Sequence, residues 1–314
     1  MKSFHSLSVA ALALVALPGT LHAQRAPSIE PIEIAQLPYI EIFSPTFFWS
    51  SETDFVRVGS VNCPKGRAVS GGLNIAQGQA SLRILESYPD GESWVVRAVN
   101  RKQGDKAQSL QVRGFALCML PAARKTSVLM MQHSRLTHPS TRFALAANSA
   151  SSTGRQACPR GALPIGGGFS LDPDYRGPAA GRLELSYPDP DGWNIRAVDS
   201  AAGSSAVDAR AYAVCLGPGN SQGIDIRDHH YVAFVTADVA VKAGGETVKQ
   251  AVGCGDGAYA LAGGARTVRG RSANVEIGES FPDTPSSWTT AVTNRGDKKA
   301  GDATVRLYAV CVRK

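Results

Sequence analysis

The sequence predicts an all-β protein of three repeated antiparallel modules, each closed by one disulfide. Three observations carry this. The six cysteines are spaced 55, 40, 57, 39 and 57 residues apart, alternating long and short gaps. The segments beginning at Cys63, Cys158 and Cys254 start similar blocks 95 and 96 residues apart, longer than common solenoid units. Helical periodicity is hard to find, whereas β-branched and aromatic runs bounded by Gly, Pro, Asp and Ser recur every 8 to 15 residues.

The blocks align feature by feature. They open with CPKGRAVSGGL (Cys63 to Leu73), CPRGALPIGGGF (Cys158 to Phe169) and CGDGAYALAGGA (Cys254 to Ala265). Next come Ser87-Tyr88-Pro89-Asp90 with Trp94, Ser186-Tyr187-Pro188-Asp189 with Trp193, and Ser280-Phe281-Pro282-Asp283 with Trp288. An Ala-Val pair and a polar residue follow each Trp, and the blocks close with GFALC, AYAVC and LYAVC at Cys118, Cys215 and Cys311. Segments such as SWVVRAVN and TVRLYAVC read as strands. Strand-like stretches also precede each first Cys, at Phe55 to Val61, Arg142 to Ala147 and Tyr231 to Val241, giving about six strands per unit. The Gly pairs predict a bulge or a close backbone approach within a strand. The Tyr-Pro-Asp segments read as type I turns.

The chain begins as an exported protein does. Lys2 gives a positive start, Val9 to Pro18 an apolar core, and Leu21-His22-Ala23 a small-residue cleavage site before Gln24. Residues 1–23 are therefore the expected signal peptide, 24–38 a leader, and 39–120, 127–216 and 224–314 the three β repeats. No segment approaches the roughly 18 apolar residues of a spanning helix, so secretion or a periplasmic location is expected. In such a compartment an even cysteine count implies disulfides. The repeat selects Cys63 with Cys118, Cys158 with Cys215, and Cys254 with Cys311 among the possible pairings. Each loop of about 55 residues would then gain roughly 4 kcal/mol in the chain-entropy model. Zinc is the competing use of cysteine, and no Cys-x-x-Cys or suitably spaced His supports it.

The succession CPxG, GGG, SYPD, Trp and YAVC resembles a repeat of exported bacterial proteins, with departures here at Gly255 and Phe281. More distantly, three Cys- and Gly-marked β units are similar to the vitelline membrane outer layer protein, whose units are shorter. That resemblance implies a threefold β-prism, and tandem sandwiches are the alternative. An immunoglobulin domain places Trp about a dozen residues after its first Cys. The 31 to 35 residues found here exclude it.

Function is less sharply written. The net charge of +7 is scattered rather than gathered into a stripe, which with export disfavours nucleic acid as a partner. The leading candidate ligand-binding residues are Asp90, Trp94, Asp189, Trp193, Asp283 and Trp288. A carboxylate accepts hydrogen bonds from sugar hydroxyls, an exposed ring covers a sugar's apolar face, and three copies would give avidity toward a glycan or envelope polymer. The bland alternative has each Asp capping a turn and each Trp filling core. His133, His138, His229 and His230 do not assemble a metal set, since adjacent strand residues such as His229 and His230 point to opposite faces. No cofactor, phosphate-loop or GxSxG motif is present, and no catalytic residue is assigned. A glycosidase would need paired acids, and nothing in the sequence pairs Glu184, Glu276 or Glu279. The segment Arg266 to Arg271 reads as a solvated loop. The expected function is non-enzymatic binding of carbohydrate or an envelope surface. The second reading is a structural or protein-interaction scaffold, including a secreted inhibitor, and a hydrolase is the third.

Overall fold

A computed structural model describes residues 40–43, 46–49, 56–64, 66–77, 82–100, 110–119, 136–146, 151–171, 181–199, 207–217 and 232–313. The expected signal peptide and leader, most of the segments joining the repeats, and His133, His229 and His230 lie outside them. The first repeat supplies β1 (Ile40–Phe43), β2 (Thr46–Trp49), β3 (Val56–Asn62), β4 (Arg67–Gln77), β5 (Leu82–Asp90), β6 (Ser93–Asn100) and β7 (Leu110–Met119). The second supplies β8 (Leu136–Thr137), β9 (Ser140–Leu145), β10 (Ser151–Ala157), β11 (Leu163–Leu171), β12 (Gly181–Asp189), β13 (Gly192–Asp199) and β14 (Val207–Leu216). The third supplies β15 (Val232–Val241), β16 (Glu246–Gly253), β17 (Ala258–Arg269), β18 (Val275–Thr284), β19 (Ser287–Asn294) and β20 (Ala303–Arg313). Among the described residues a single 3-10 turn, Ser272–Asn274, interrupts the strands.

No sheet belongs to one repeat. The orders are β1-β7-β4-β18-β19-β16, β3-β6-β5-β11-β14-β8 and β10-β13-β12-β17-β20-β15, with β2 added beside β7 and β9 beside β14. Each sheet joins one half of a repeat to the other half of a different repeat. The joints are equivalent, with Ser87 opposite Phe169, Ser186 opposite Ala265, and Ser280 opposite Leu73. Sharing strands in a cycle is one way for an antiparallel sheet to cover an edge that would otherwise stay open at the joint.

The glycine pairs make these joints possible. At Gly72, Gly168 and Gly264 a Cβ would overlap the carbonyl oxygen of Ser280, Ser87 and Ser186, each on a different repeat. At Gly71, Gly167 and Gly263 it would overlap the ring of Trp94, Trp193 and Trp288 in the same repeat. The first glycine thus makes room for an indole and the second for a neighbouring backbone. The bulges fall just before the pairs, between Ala68 and Ser70, Pro164 and Gly166, and Ala260 and Ala262.

Two turn expectations are corrected. Tyr88-Pro89-Asp90 and its two equivalents are the ends of strands β5, β12 and β18, and the chain reverses just beyond them, in the first hairpin at Gly91 with φ of 59°. Each proline lies past the single bridge to the next repeat, where its missing N–H is not needed for that joint. Arg266 to Arg269 lies in strand β17 rather than in a loop.

The disulfides Cys63–Cys118, Cys158–Cys215 and Cys254–Cys311 form with Cα separations of 5.4, 5.6 and 5.5 Å. The N–H of Cys63, Cys158 and Cys254 donates to Glu92, Asp191 and Ser286 at 2.8 Å in each case, so the first cysteine is also tied to the hairpin following the Pro-Asp end.

Candidate functional site

The inner faces of the sheets meet at a central cavity of about 30 Å³. Ile84, Leu183 and Ile277 line it together with Ser87, Ser186, Ser280 and the glycine pairs, one equivalent set from each repeat, and Phe169 is added from the second. Each of the three indoles is 1% exposed. Its N–H donates to the serine hydroxyl of its own repeat at 2.9 Å: Trp94 to Ser87, Trp193 to Ser186, Trp288 to Ser280.

This corrects the expected Asp–Trp sugar pair. Trp94 stands opposite Pro89, and Asp90 stands opposite Ser93. Successive strand residues face opposite ways, so the ring points into the core while the carboxylate points out. The second repeat repeats the register, with Trp193 opposite Pro188 and Asp189 opposite Gly192. Asp90 and Asp283 are exposed. Asp189 accepts from Arg155 at 2.8 Å and from Asn194 at 2.8 Å. Burial alone would raise its pKa, but these bonds and the Asp191 N–H outweigh it and hold the group at about 2.

The outer faces carry a different aromatic set. Tyr88 stacks on Tyr212 with centroids 5.0 Å apart, Phe115 on Phe281 at 5.5 Å, and Tyr187 on Tyr308 at 5.6 Å. Every pair joins two repeats, and one member of each stands directly opposite a glycine of the second position: Phe115 opposite Gly72, Tyr212 opposite Gly168, Tyr308 opposite Gly264. Aromatics cover the bare strand that glycine leaves. Two residues before Phe115, Tyr212 and Tyr308 stand Arg113, Arg210 and Arg306, so each outer face presents an arginine beside its ring pair. The sequence shows this as Arg-x-Phe/Tyr-Ala-x-Cys, a signal that a reading centred on Trp and Asp passes over.

The electrostatics differ from face to face. Lys249 lies over Phe281 at 4.9 Å and pairs with Glu279 at 2.8 Å. Glu86 pairs with Arg97 at 2.9 Å beside Tyr88. Burial, then Glu86, Tyr212 and Asp90, push the Tyr88 hydroxyl up to about 12. Glu184 is fully buried, and burial raises its pKa against the Ser151 hydroxyl at 2.8 Å, Arg182 and Arg196. Glu276 pairs with Arg295. The acids Glu184, Glu276 and Glu279 each meet a base.

No family model and no curated protein matches the chain. Among the described residues no cluster of three metal-ligating side chains forms, and no helix is long and apolar enough to cross a membrane. His138 Nε2 instead lies 2.9 Å from the Ala68 carbonyl of the first repeat. Burial, then Arg67, pull its pKa down to about 4 against the favourable Ala68 contact.

Proposed function

We propose that the protein is an exported, non-enzymatic binding scaffold that holds envelope carbohydrate on the outer faces of its three sheets. The observation that supports this reading is the ring pair with a neighbouring arginine repeated at the same place in every sheet, although Phe115, Phe281 and Tyr308 are buried and only the tyrosines of the other positions reach solvent. Tyr88, Tyr187 and Tyr212 are only half-buried there. Phenol hydroxyls and guanidinium N–H groups suit sugar hydroxyls, and ring surface suits the sugar's C–H face. Three disulfides in a chain that opens with a signal-like segment agree with an oxidising compartment.

The test is binding to immobilised neutral and acidic polysaccharides by wild type and by the Tyr88→Ala and Tyr187→Ala variants, after circular dichroism shows each variant folded. Loss of binding in either variant supports the reading, and absence of binding by wild type to every polysaccharide removes it. The burial of all three indoles favours a second reading, a scaffold for protein partners, because it removes the hairpins as a ready aromatic surface. That reading expects one reproducible partner on pull-down and no polysaccharide bound.

A further inference from the structure

The three outer faces share one framework, so differences at equivalent positions show where one of them departs. Beside each ring pair, the strand that carries the glycines and the strand paired to it across the joint place two residues at the centre of the sheet. The joint registers identify them: Ser170 and Glu86 on the first-to-second joint, Asn74 and Glu279 on the third-to-first, Arg266 and Leu185 on the second-to-third. Two faces therefore have a neutral polar residue beside a carboxylate. The third replaces the neutral residue with a cation and the carboxylate with a leucine.

Arg266 stands directly opposite Arg306, an arrangement of like charges that costs stability on a sheet. Arg306 is occupied by Asp238, with two bonds at 2.7 and 2.8 Å. Arg196, which stands opposite Leu185, pairs with Glu184 at 3.1 Å. Arg266 instead rests its guanidinium 5.4 Å from the Tyr187 ring and 5.7 Å from the Tyr308 ring. Its direct contacts are aromatic, and it reaches the Asp238 carboxylate only through space, helping Arg306 to hold that acid's pKa down. A planar cation on two rings keeps its outward N–H donors available for a bidentate acceptor.

We infer that the face built from β10, β13, β12, β17, β20 and β15 reads an acidic group on a polysaccharide, with Arg266 as the anion-binding residue, the half-buried Tyr187 beside it for the sugar ring, and the buried Tyr308 supporting both from beneath. The inference rests on the glycan-binding reading and names its ligand class. Carboxylate-bearing sugars fit because they join a flat C–H surface to an anion within one residue. Lipid phosphate offers the charge without that ring surface.

Calorimetric titration with polygalacturonate oligosaccharides, with neutral dextran as control, tests it on wild type and two variants that borrow residues from the sister faces. These are Arg266→Asn, the residue Asn74 supplies, and Leu185→Glu, the residue Glu86 and Glu279 supply. Both substitutions are already carried by the same framework, and unchanged circular dichroism and melting verify that each variant folds. Wild type should bind the acidic oligosaccharide, weaken with added salt, and lose about ten-fold in affinity in either variant, the scale of one charge-assisted contact. Equal affinity in wild type and Arg266→Asn, with binding lost in Tyr88→Ala, overturns the inference and leaves the glycan-binding reading standing. Binding to phosphatidylglycerol vesicles without binding to polygalacturonate overturns it in favour of a lipid surface. No binding to polygalacturonate overturns the inference, and the glycan-binding reading falls with it only when every other polysaccharide also fails to bind.

Discussion

The indole N–H of Trp193 donates to the Ser186 hydroxyl at 2.9 Å, while the ring lies against Gly167 and the Ser186 carbonyl lies against Gly264 of the next repeat. One serine thus serves an indole within its own repeat and a backbone contact outside it. Replacing Ser186 with Ala leaves a buried N–H without its acceptor, which costs about 1–3 kcal/mol. Urea denaturation should show this loss with little change in slope. The Trp193→Phe variant of the Ser186→Ala protein should then lose less than the sum of the two single changes, since the orphaned donor is gone.

The burial of Trp94, Trp193 and Trp288 has a spectroscopic consequence. With Trp49 changed to Phe, only these three indoles emit. Acrylamide should quench them weakly, and unfolding in guanidinium should raise the quenching several-fold. Strong quenching of the folded protein would contradict the core position of the rings.

His138 makes stability depend on pH. Its folded pKa lies near 4 against 6.5 for the free side chain, so between those values the unfolded chain holds more protons than the folded one. Stability is therefore complete above pH 6.5 and is lost as pH falls toward 4. The His138→Gln variant should flatten melting temperature against pH in that window. Asp189 acts lower, because its depressed pKa withdraws stability only as pH falls from 3.8 toward 2. The two contributions separate on the pH axis.

Much of this architecture is legible in the chain. Six cysteines in three equivalent blocks give the disulfide pairs, because a repeat leaves one self-consistent pairing. Strand identity follows from alternation and from Gly and Pro punctuation. The exchange of sheet halves between repeats is not legible, because Ser87 opposite Phe169 is a long-range register that no local pattern encodes. The Asp–Trp reading failed for a related reason. Asp90 and Trp94 are close in sequence, but the hairpin register sets them on opposite faces. Arg266 read as loop because three arginines in six residues look solvated, whereas the stacked tyrosines that hold it come from β12 and β20.

The glycine pairs give the sharpest test of the shared sheets. Gly168→Ala would drive a methyl group into the Ser87 carbonyl, and because that atom is backbone in a paired strand, no rotamer change relieves it. The change should cost about 3 kcal/mol or more, the upper range of overpacking. Gly253→Ala is the control: it lies on strand β16, and a Cβ there meets nothing within 4 Å. It should leave stability unchanged or slightly higher, since alanine narrows the unfolded ensemble. Because Gly168 belongs to the second repeat and Ser87 to the first, damage at this joint should lower the melting temperature of the whole molecule in a single transition. Calorimetry would show instead two or more separate transitions if each repeat folded alone, and Gly168→Ala would then shift only one of them.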